Sequence, residues 1–310
     1  MSSNAPHARP TFSIVLCTRN RSGLLRAALE SLLGIEFPPE AFELCVVDNN
    51  STDDTRDVIA AFAARAPFAV HNIFEPRPGL SVARNRAVRE ATGEYLFFTD
   101  DDQLVDRGIL REYHRVAAAH RARVLQGAID LTFPAGRPAW LHGPLDVWFG
   151  RTGDIPEGPA AIDLFGGNMV FHRALFESVL TFREDLGKGA AGYSEDSEIS
   201  RQLRAHGETV VFAPTAIIYH VIDGDRATAT FLRANAWNKG YSDGVMGSSR
   251  GPLAASALSL IRTVRQGLTA VAWLPSAHRS INAQVLACYF AGHARGVLTA
   301  RRTAQVRNAR

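Results

Sequence analysis

The chain has 310 residues, 46 % of them apolar and 21 % charged, a composition that suits one large globular domain or a domain with an appendage. No run of about eighteen residues is both apolar and uncharged, which excludes a conventional membrane span, and Cys17, Cys45 and Cys288 match neither a zinc nor a disulfide pattern. The net charge is +3, yet eleven of the 34 Lys and Arg and only one of the 31 Asp and Glu (Asp243) lie from Ala227 onward, leaving a net of −7 on the first 226 residues. An acidic body with a basic tail argues against a nucleic-acid enzyme, whose active face must be positive.

Residues 1–10 are polar with two prolines and predict a flexible leader instead of a signal peptide. Phe12-Ser13-Ile14-Val15-Leu16-Cys17 predicts a first strand. Over 24–33, Leu24, Leu25, Ala28, Leu29 and Leu32 share one side of a helix. A second strand, Phe42-Glu43-Leu44-Cys45-Val46-Val47, ends at Asp48. A helix over 54–65 turns Val58, Ile59 and Phe62 inward, and a short strand follows at 68–73. A third helix at 81–90 and a break at Gly93 lead to the strand Tyr95-Leu96-Phe97-Phe98-Thr99. Cys17 and Cys45 fall in strands and read as buried thiols of a reducing compartment. Beyond them the pattern predicts a helix to about residue 121 and a strand at 124–131. The irregular Gly-, Pro- and Trp-rich stretch at 134–160 follows; its Trp140 and Trp148 could stack on a sugar or an apolar acceptor, or equally fill the core. An apolar run at 167–171, a short helix at 173–179, a helix at 195–206 and two short strands at 210–212 and 217–219 come next. The rest reads as helical, and over 253–273 Leu253, Ala257, Leu260, Val264, Leu268 and Val271 lie near one face.

Strand–helix alternation with short links predicts an α/β fold with a mostly parallel, Rossmann-like sheet flanked by helices and a helical C-terminal extension. In such sheets ligands bind beyond the carboxyl ends of the strands, where residues 18–21, 48–53 and 100–102 all fall. Neither GxGxxG nor GxxxxGK[ST] occurs where a dinucleotide or P-loop site needs it, which argues against a dehydrogenase and an NTPase.

Asp100-Asp101-Asp102 directly after an apolar strand is an arrangement of mutually repelling carboxylates. Asp101 or Asp102 could simply cap the next helix. A bound divalent cation is the more economical compensation, and hard oxygen ligands suit Mg2+ or Mn2+ under phosphate groups. A second acidic cluster, Glu195-Asp196-Ser197-Glu198, follows the glycine-rich 187–192. It reads either as a helix start favoured by the dipole or as a general base that takes a proton from an incoming hydroxyl. His220, after a strand end, is either a satisfied structural histidine or a third metal ligand. Arg77, Arg84 and Arg86 surround Gly79 and a helix start; they form either a solvated basic face or donors to diphosphate oxygens.

These segments together resemble the family 2 glycosyltransferases with the GT-A fold. The resemblance is carried by Cys17-Thr18-Arg19-Asn20-Arg21, Val46-Val47-Asp48-Asn49-Asn50-Ser51-Thr52-Asp53 and Gly79-Leu80-Ser81-Val82-Ala83-Arg84-Asn85. Phe98-Thr99-Asp100-Asp101-Asp102, Gly166-Gly167-Asn168 and Glu195-Asp196 complete it, so that it covers about residues 11–225. The resemblance implies that Thr18 and Arg21 line the nucleotide site, that Asp48 reads the base, usually uracil, and that Arg84 (with Arg77) meets the ribose–diphosphate part. Asp100-Asp101-Asp102 matches the DXD metal motif, with Asp102 the direct ligand and Asp100 and Asp101 near the ribose. His220 would complete the metal site with Asp102 and Asp100. Gly167 and Asn168 would lie beside the donor sugar, Asp196 would be the catalytic base, and Glu195 would support it or orient the donor. Asn49 departs from the second aspartate of many relatives.

The implied reaction is a metal-dependent, inverting transfer of a hexose-type sugar from a UDP-sugar to a hydroxyl of a glycan, a lipid-linked or another cell-surface-precursor acceptor. The loops at 74–81 and 187–194 would cover the donor. A leader at 1–10, a catalytic domain at 11–226 and a basic extension at 227–310 follow from the same reading. The extension fits attachment to an anionic membrane surface, on the cytoplasmic face of the cell membrane, or a helical appendage or homodimer contact. Two rivals stand beside it: a sugar-phosphate nucleotidyltransferase, which would want a glycine-rich basic triphosphate loop where 18–23 has one glycine, and a non-catalytic sugar-nucleotide-binding assembly protein, which would not need Asp196.

Overall fold

The computed structural model describes residues 9–189, 193–247, 252–274 and 276–308, so Ala190, Ala191 and Gly192 of the expected covering loop, and most of the expected leader, lie outside the described residues. By compactness the chain forms two units. The first gathers 9–130, 152–182 and 199–219, and the second 131–151, 183–198 and 220–308.

The first unit begins β1 (Phe12–Thr18), α1 (Ser22–Leu32), β2 (Phe42–Asp48), α2 (Thr55–Ala63), β3 (Ala69–Phe74), α3 (Leu80–Glu90) and β4 (Tyr95–Asp100). β1 and β2 are buried along their whole length, which is why they read as continuous apolar runs. Alternate residues feed two cores. Ile14, Leu16, Leu44, Val46 and Phe97 meet Leu25 and Leu29 of α1 and Ile59 and Phe62 of α2. Val15, Cys45, Val47, Leu96 and Phe98 meet Ala83 and Ala87 of α3 on the other face. The parallel register aligns Thr18 with Asp48, and Cys17 with Asp100, so the polar strand ends share one edge. Glu43 interrupts the apolar run of β2 because it is fully occupied there. It accepts from Ser13 Oγ at 2.6 Å, Thr92 N at 2.7 Å and Thr92 Oγ1 at 2.9 Å. Burial opposes its ionisation, but these donors outweigh burial and hold the carboxyl below its ordinary range.

The sheet continues with β5 (Gln103–Val105), α4 (Ile109–His120), β6 (Val124–Thr132), β7 (Gly158–Pro159), β8 (Met169–His172), α5 (Leu175–Ser178), α6 (Glu195–Ala205) and β9 (Val210–Val221). Strand order is β3-β2-β1-β4-β8-β6-β9-β5, with β7 on β9. The first four strands are parallel, but β8 runs antiparallel to both β4 and β6, so the sheet is mixed. The physical reason is entry. β8 is reached through 160–168 at the carboxyl end of β4, and no crossover helix returns the chain to the opposite edge, as a parallel strand would require. The two strands expected at 210–212 and 217–219 are one strand, β9. Pro214 and Thr215 lie toward its surface, where a missing ladder donor is tolerated.

In the second unit, a 3₁₀ segment (Gly143–Phe149) precedes α7 (Ala229–Met246), α8 (Pro252–Ala272) and α9 (Ala277–Asn308). Leu141, Leu145 and Phe149 share a core with Ile222, Leu232, Ala236 and Val285. Trp140 and Trp148 pack against that core, and the Trp148 ring lies 5.8 Å from that of Tyr289. α7 and α9 cross on four glycines. A Cβ at Gly240 would stand 2.0 Å from Tyr289 O, and one at Gly296 would stand 2.1 Å from Tyr241 O; Gly244 and Gly292 are as tight. On α8, Ser256, Ser259 and Ala270 are buried, while Leu260, Val264, Leu268 and Val271 of the expected apolar stripe are exposed. Among the described residues no helix is long and apolar enough to cross a membrane.

Candidate active site

The carboxyl ends of β1, β2 and β4 bring most of the expected nucleotide residues together. The three aspartates form the turn from β4 into β5. Thr18 Oγ1 donates to Asp101 Oδ2 at 2.7 Å, and Arg21 reaches across with one nitrogen to Asp101 Oδ1 at 2.5 Å and the other to Asp102 Oδ2 at 2.9 Å. Asp101 and Asp102 are buried, whereas Asp100 keeps more exposure and accepts from Arg84 at 3.2 Å. Burial pushes Asp101 up to about 6, against the pull of the Arg21 guanidinium. Arg84 is itself buried on α3, with its guanidinium 5.6 Å from the Phe182 ring centroid. Cys17, beside this cluster, is an inert thiol pushed up to about 12, chiefly by burial.

Asp48 is buried at the end of β2 and fixes the following turn by accepting from Ser51 N at 2.9 Å. Arg77 is more open; its Nε lies 3.2 Å from Glu75 Oε1. Gly167 has φ +94°, and a Cβ there would strike the Gln103 side chain at 2.0 Å. The Asn168 amide is completely engaged, donating to Ala128 O at 2.8 Å and Ala216 O at 3.0 Å and accepting from Tyr113 Oη at 2.6 Å. Asn168 therefore braces the sheet from within.

Three further residues shape this edge; the sequence marked Asn49 as a departure and gave Gln103 and Asn85 no role. Gln103 Oε1 accepts from Asp100 N at 3.0 Å and Thr99 Oγ1 at 3.1 Å, closing the acidic turn on itself. Asn49 donates to Glu75 O at 3.2 Å and Arg77 O at 2.7 Å and accepts from Gly79 N at 2.8 Å, which pins the loop before α3. Asn85 clasps Phe182 through both backbone groups, at 2.8 and 3.1 Å. The departure at Asn49 was the available signal, because only an amide can donate to two carbonyls and accept from an N–H.

Glu195, Asp196 and His220 belong to the second unit. Glu195 and Asp196 open α6 behind Ser194, which holds a left-handed φ of +76°. The helical extension holds that start. Tyr193 N donates to Ser242 Oγ at 3.0 Å, and Ser194 Oγ to Asp243 Oδ1 at 2.7 Å. Lys239 Nζ reaches Asp243 at 2.7 Å and Ser197 Oγ at 3.1 Å, and Tyr289 Oη closes on Asp243 at 2.9 Å. Burial works against the Lys239 charge, but Asp243 and then Asp196 outweigh it and raise the group above its ordinary range. Both ring nitrogens of His220 have partners. Nδ1 lies 2.7 Å from Phe149 O and so carries the hydrogen, leaving Nε2 as the acceptor 3.1 Å from the Arg226 guanidinium.

Among the described residues no group of three or more His, Cys, Asp or Glu side chains is gathered as a metal cage. The donor set of the acidic turn nevertheless fits a hard divalent ion. Three adjacent carboxylates stand against the two guanidinium groups of Arg21 and Arg84, and Mg2+ or Mn2+ is commonly held by one or two carboxylates with phosphate oxygens.

Among curated proteins, the chain is 26 % identical over 245 residues to the succinoglycan biosynthesis protein ExoM of Rhizobium meliloti (strain 1021), covering 77 % of this chain and 76 % of that protein. It is 29 % identical over 114 residues to the poly(ribitol-phosphate) β-N-acetylglucosaminyltransferase TarS of Staphylococcus aureus (strain Mu50 / ATCC 700699), but these are 37 % of this chain and only 20 % of TarS. Among solved structures, the mannosyltransferase PcManGT from Pyrobaculum calidifontis, in complex with GDP-Man and Mn2+, aligns over 96 % of this chain and 76 % of its own, with a TM-score of 0.60 at 20 % identity. S. aureus TarS 1-349 in complex with UDP-GlcNAc aligns over 96 % and 92 % with a TM-score of 0.55 at 17 % identity. These two establish likeness of fold. The sequence profile described as Glycosyl transferase family 2 matches residues 13–180, more than half of the chain, and the chain belongs to that family, with the GT-A fold.

Proposed function

We propose that the chain is an inverting glycosyltransferase that moves a hexose-type sugar from a nucleotide-diphosphate donor, a UDP-sugar, to a hydroxyl of a glycan or lipid-linked acceptor. The observation that carries this reading is the convergence of Thr18, Arg21, Asp48, Arg84 and Asp100-Asp101-Asp102 on one edge of the sheet, where a nucleoside diphosphate finds an acceptor for its base and two guanidinium groups for its oxygens. Asp48 holds the base, and Arg84, joined by Arg77, meets the diphosphate. Asp102 and Asp100 would hold a divalent ion, which supplies charge stabilisation to the departing diphosphate when bound.

Asp196 takes the proton of the acceptor hydroxyl as its oxygen bonds to the anomeric carbon. The bond from that carbon to the diphosphate oxygen breaks, and the electron pair leaves with the nucleoside diphosphate. One displacement from the opposite face inverts the configuration. The half-buried Lys239, whose charge faces Asp196 and Glu195, supports the carboxylate at the head of α6. The names of similar proteins support this reading, since TarS is named for transfer of N-acetylglucosamine and PcManGT for transfer of mannose.

The test is a panel of nucleotide-diphosphate sugars with Mn2+ and the purified chain. Release of free nucleoside diphosphate supports transfer, while release of inorganic diphosphate would move the assignment to a nucleotidyltransferase. Asp196→Asn is expected to lower turnover at least about a thousandfold, within the range general bases contribute, with donor affinity kept within about threefold. Unchanged turnover in that variant removes Asp196 as the base.

A further inference from the structure

Helix α8 is turned inside out for a helix in water. Its small residues Ser256, Ser259 and Ala270 are buried, with Ser259 Oγ 2.9 Å from His293 Nδ1 on α9. Leu260, Ile261, Val264, Leu268 and Val271 stand outward over three turns; Val264 is 64 % and Leu268 68 % exposed. A contiguous stripe of large apolar side chains differs from the scattered surface leucines of an ordinary protein and marks an interaction face. The stripe ends in exposed Trp273 and Leu274, and the exposed Arg262 and Arg265 run beside it.

We propose that this face of α8 docks on an anionic lipid bilayer. The occupant follows from charge. From Ala227 to Arg310 the chain holds eleven basic residues and one acid, and that acid, Asp243, is bound to Lys239 and Tyr289. A second copy seated on the same face would bring arginine to arginine with no carboxylate to receive it. A bilayer offers both complements, since acyl chains receive the Leu, Ile and Val stripe while anionic headgroups attract the exposed Arg265 and Arg262, the latter with its guanidinium 5.4 Å from the Phe290 ring centroid on α9. Trp273, with the Arg279 guanidinium 4.2 Å from its ring centroid, is the residue type that settles at the headgroup level. The inference is independent of the transfer reaction, because binding is read without donor or acceptor.

The experiment is sedimentation of the full chain with mixed phosphatidylglycerol–phosphatidylcholine vesicles and with pure phosphatidylcholine vesicles. The chain is expected to pellet with the mixed vesicles and to be released as salt rises. Val264→Glu with Leu268→Glu, at two exposed positions, is expected to lower the partition coefficient at least about tenfold. Arg262→Gln with Arg265→Gln is expected to lower it on the mixed vesicles only. Hydrogen exchange on the unaltered chain gives a reading that no variant can confuse, since amides of 256–274 should exchange more slowly with mixed vesicles present. No pelleting, equal pelleting of the glutamate variant, unchanged exchange in 256–274, or a dimer that the glutamate variant splits would each overturn the proposal.

Discussion

An aspartate at position 49 would keep the size of the native side chain and lose its chemistry. The Asn49 amide donates to the carbonyls of Glu75 and Arg77, and a carboxylate there would face two acceptors with nothing to give them. The site is buried, so the cost is that of an unsatisfied charged group. Asn49→Asp is therefore expected to lower stability by roughly 2–4 kcal/mol in urea unfolding. It should also weaken donor binding, because the loop it pins carries Arg77 and leads into the helix of Arg84. A variant as stable as the parent would mean that the loop is held by other contacts. The same residue shows where sequence reading stops. The difference from a second aspartate was visible, but its cause lies in carbonyls 26 and 28 residues downstream, which no local pattern reveals. Gln103 and Lys239 escaped notice for the same reason.

At the scale of elements, what could be read depended on whether one segment determines its own environment. β1, β2 and β4 were legible as apolar runs because both faces of a parallel strand are covered, and α1 and α2 because their stripes face one core. The direction of β8 was not legible, since four residues carry no mark of orientation. The stripe on α8 was legible as a stripe, yet periodicity says only that one side differs from the other. Which side faces inward was decided by α9, which takes the serine and alanine side. The α7–α9 crossing gives the sharpest prediction at this scale. A methyl at Gly240 would meet backbone that cannot rotate away, so Gly240→Ala must push the helices apart. The expected loss is roughly 1–3 kcal/mol or more. Gly267, on the helix α8, has open space within 4 Å of where a methyl would stand, so Gly267→Ala should instead gain roughly 0.5–1 kcal/mol from helix propensity. Thermal melts of the two variants should move in opposite directions; a shared direction would discount the close crossing as the cause.

For the whole molecule, the compact units cut across the order of the chain. The second unit joins 131–151, 183–198 and the helices after residue 220, so a cut after residue 226 passes through it. α7 and α9 supply Leu232, Ala236 and Val285 to the core that buries Leu141, Leu145 and Phe149. They also supply Lys239, Ser242, Asp243 and Tyr289 to the network that holds the head of α6. Exposing three large apolar side chains costs about 1.5–3 kcal/mol each, a sum comparable to the total stability of a typical domain, about 5–15 kcal/mol. Deleting 227–310 is therefore expected to leave a chain that binds hydrophobic dye, is cleaved by protease within 131–151, and turns over no donor even when no membrane is present. Donor affinity should survive better than turnover, because the residues proposed to hold the nucleotide belong to the first unit and the proposed base, Asp196, to the second. A truncated chain with native protease resistance and full turnover would show that the extension is needed neither for this core nor for turnover, and Lys239 and Asp243 would then have no part in holding Asp196.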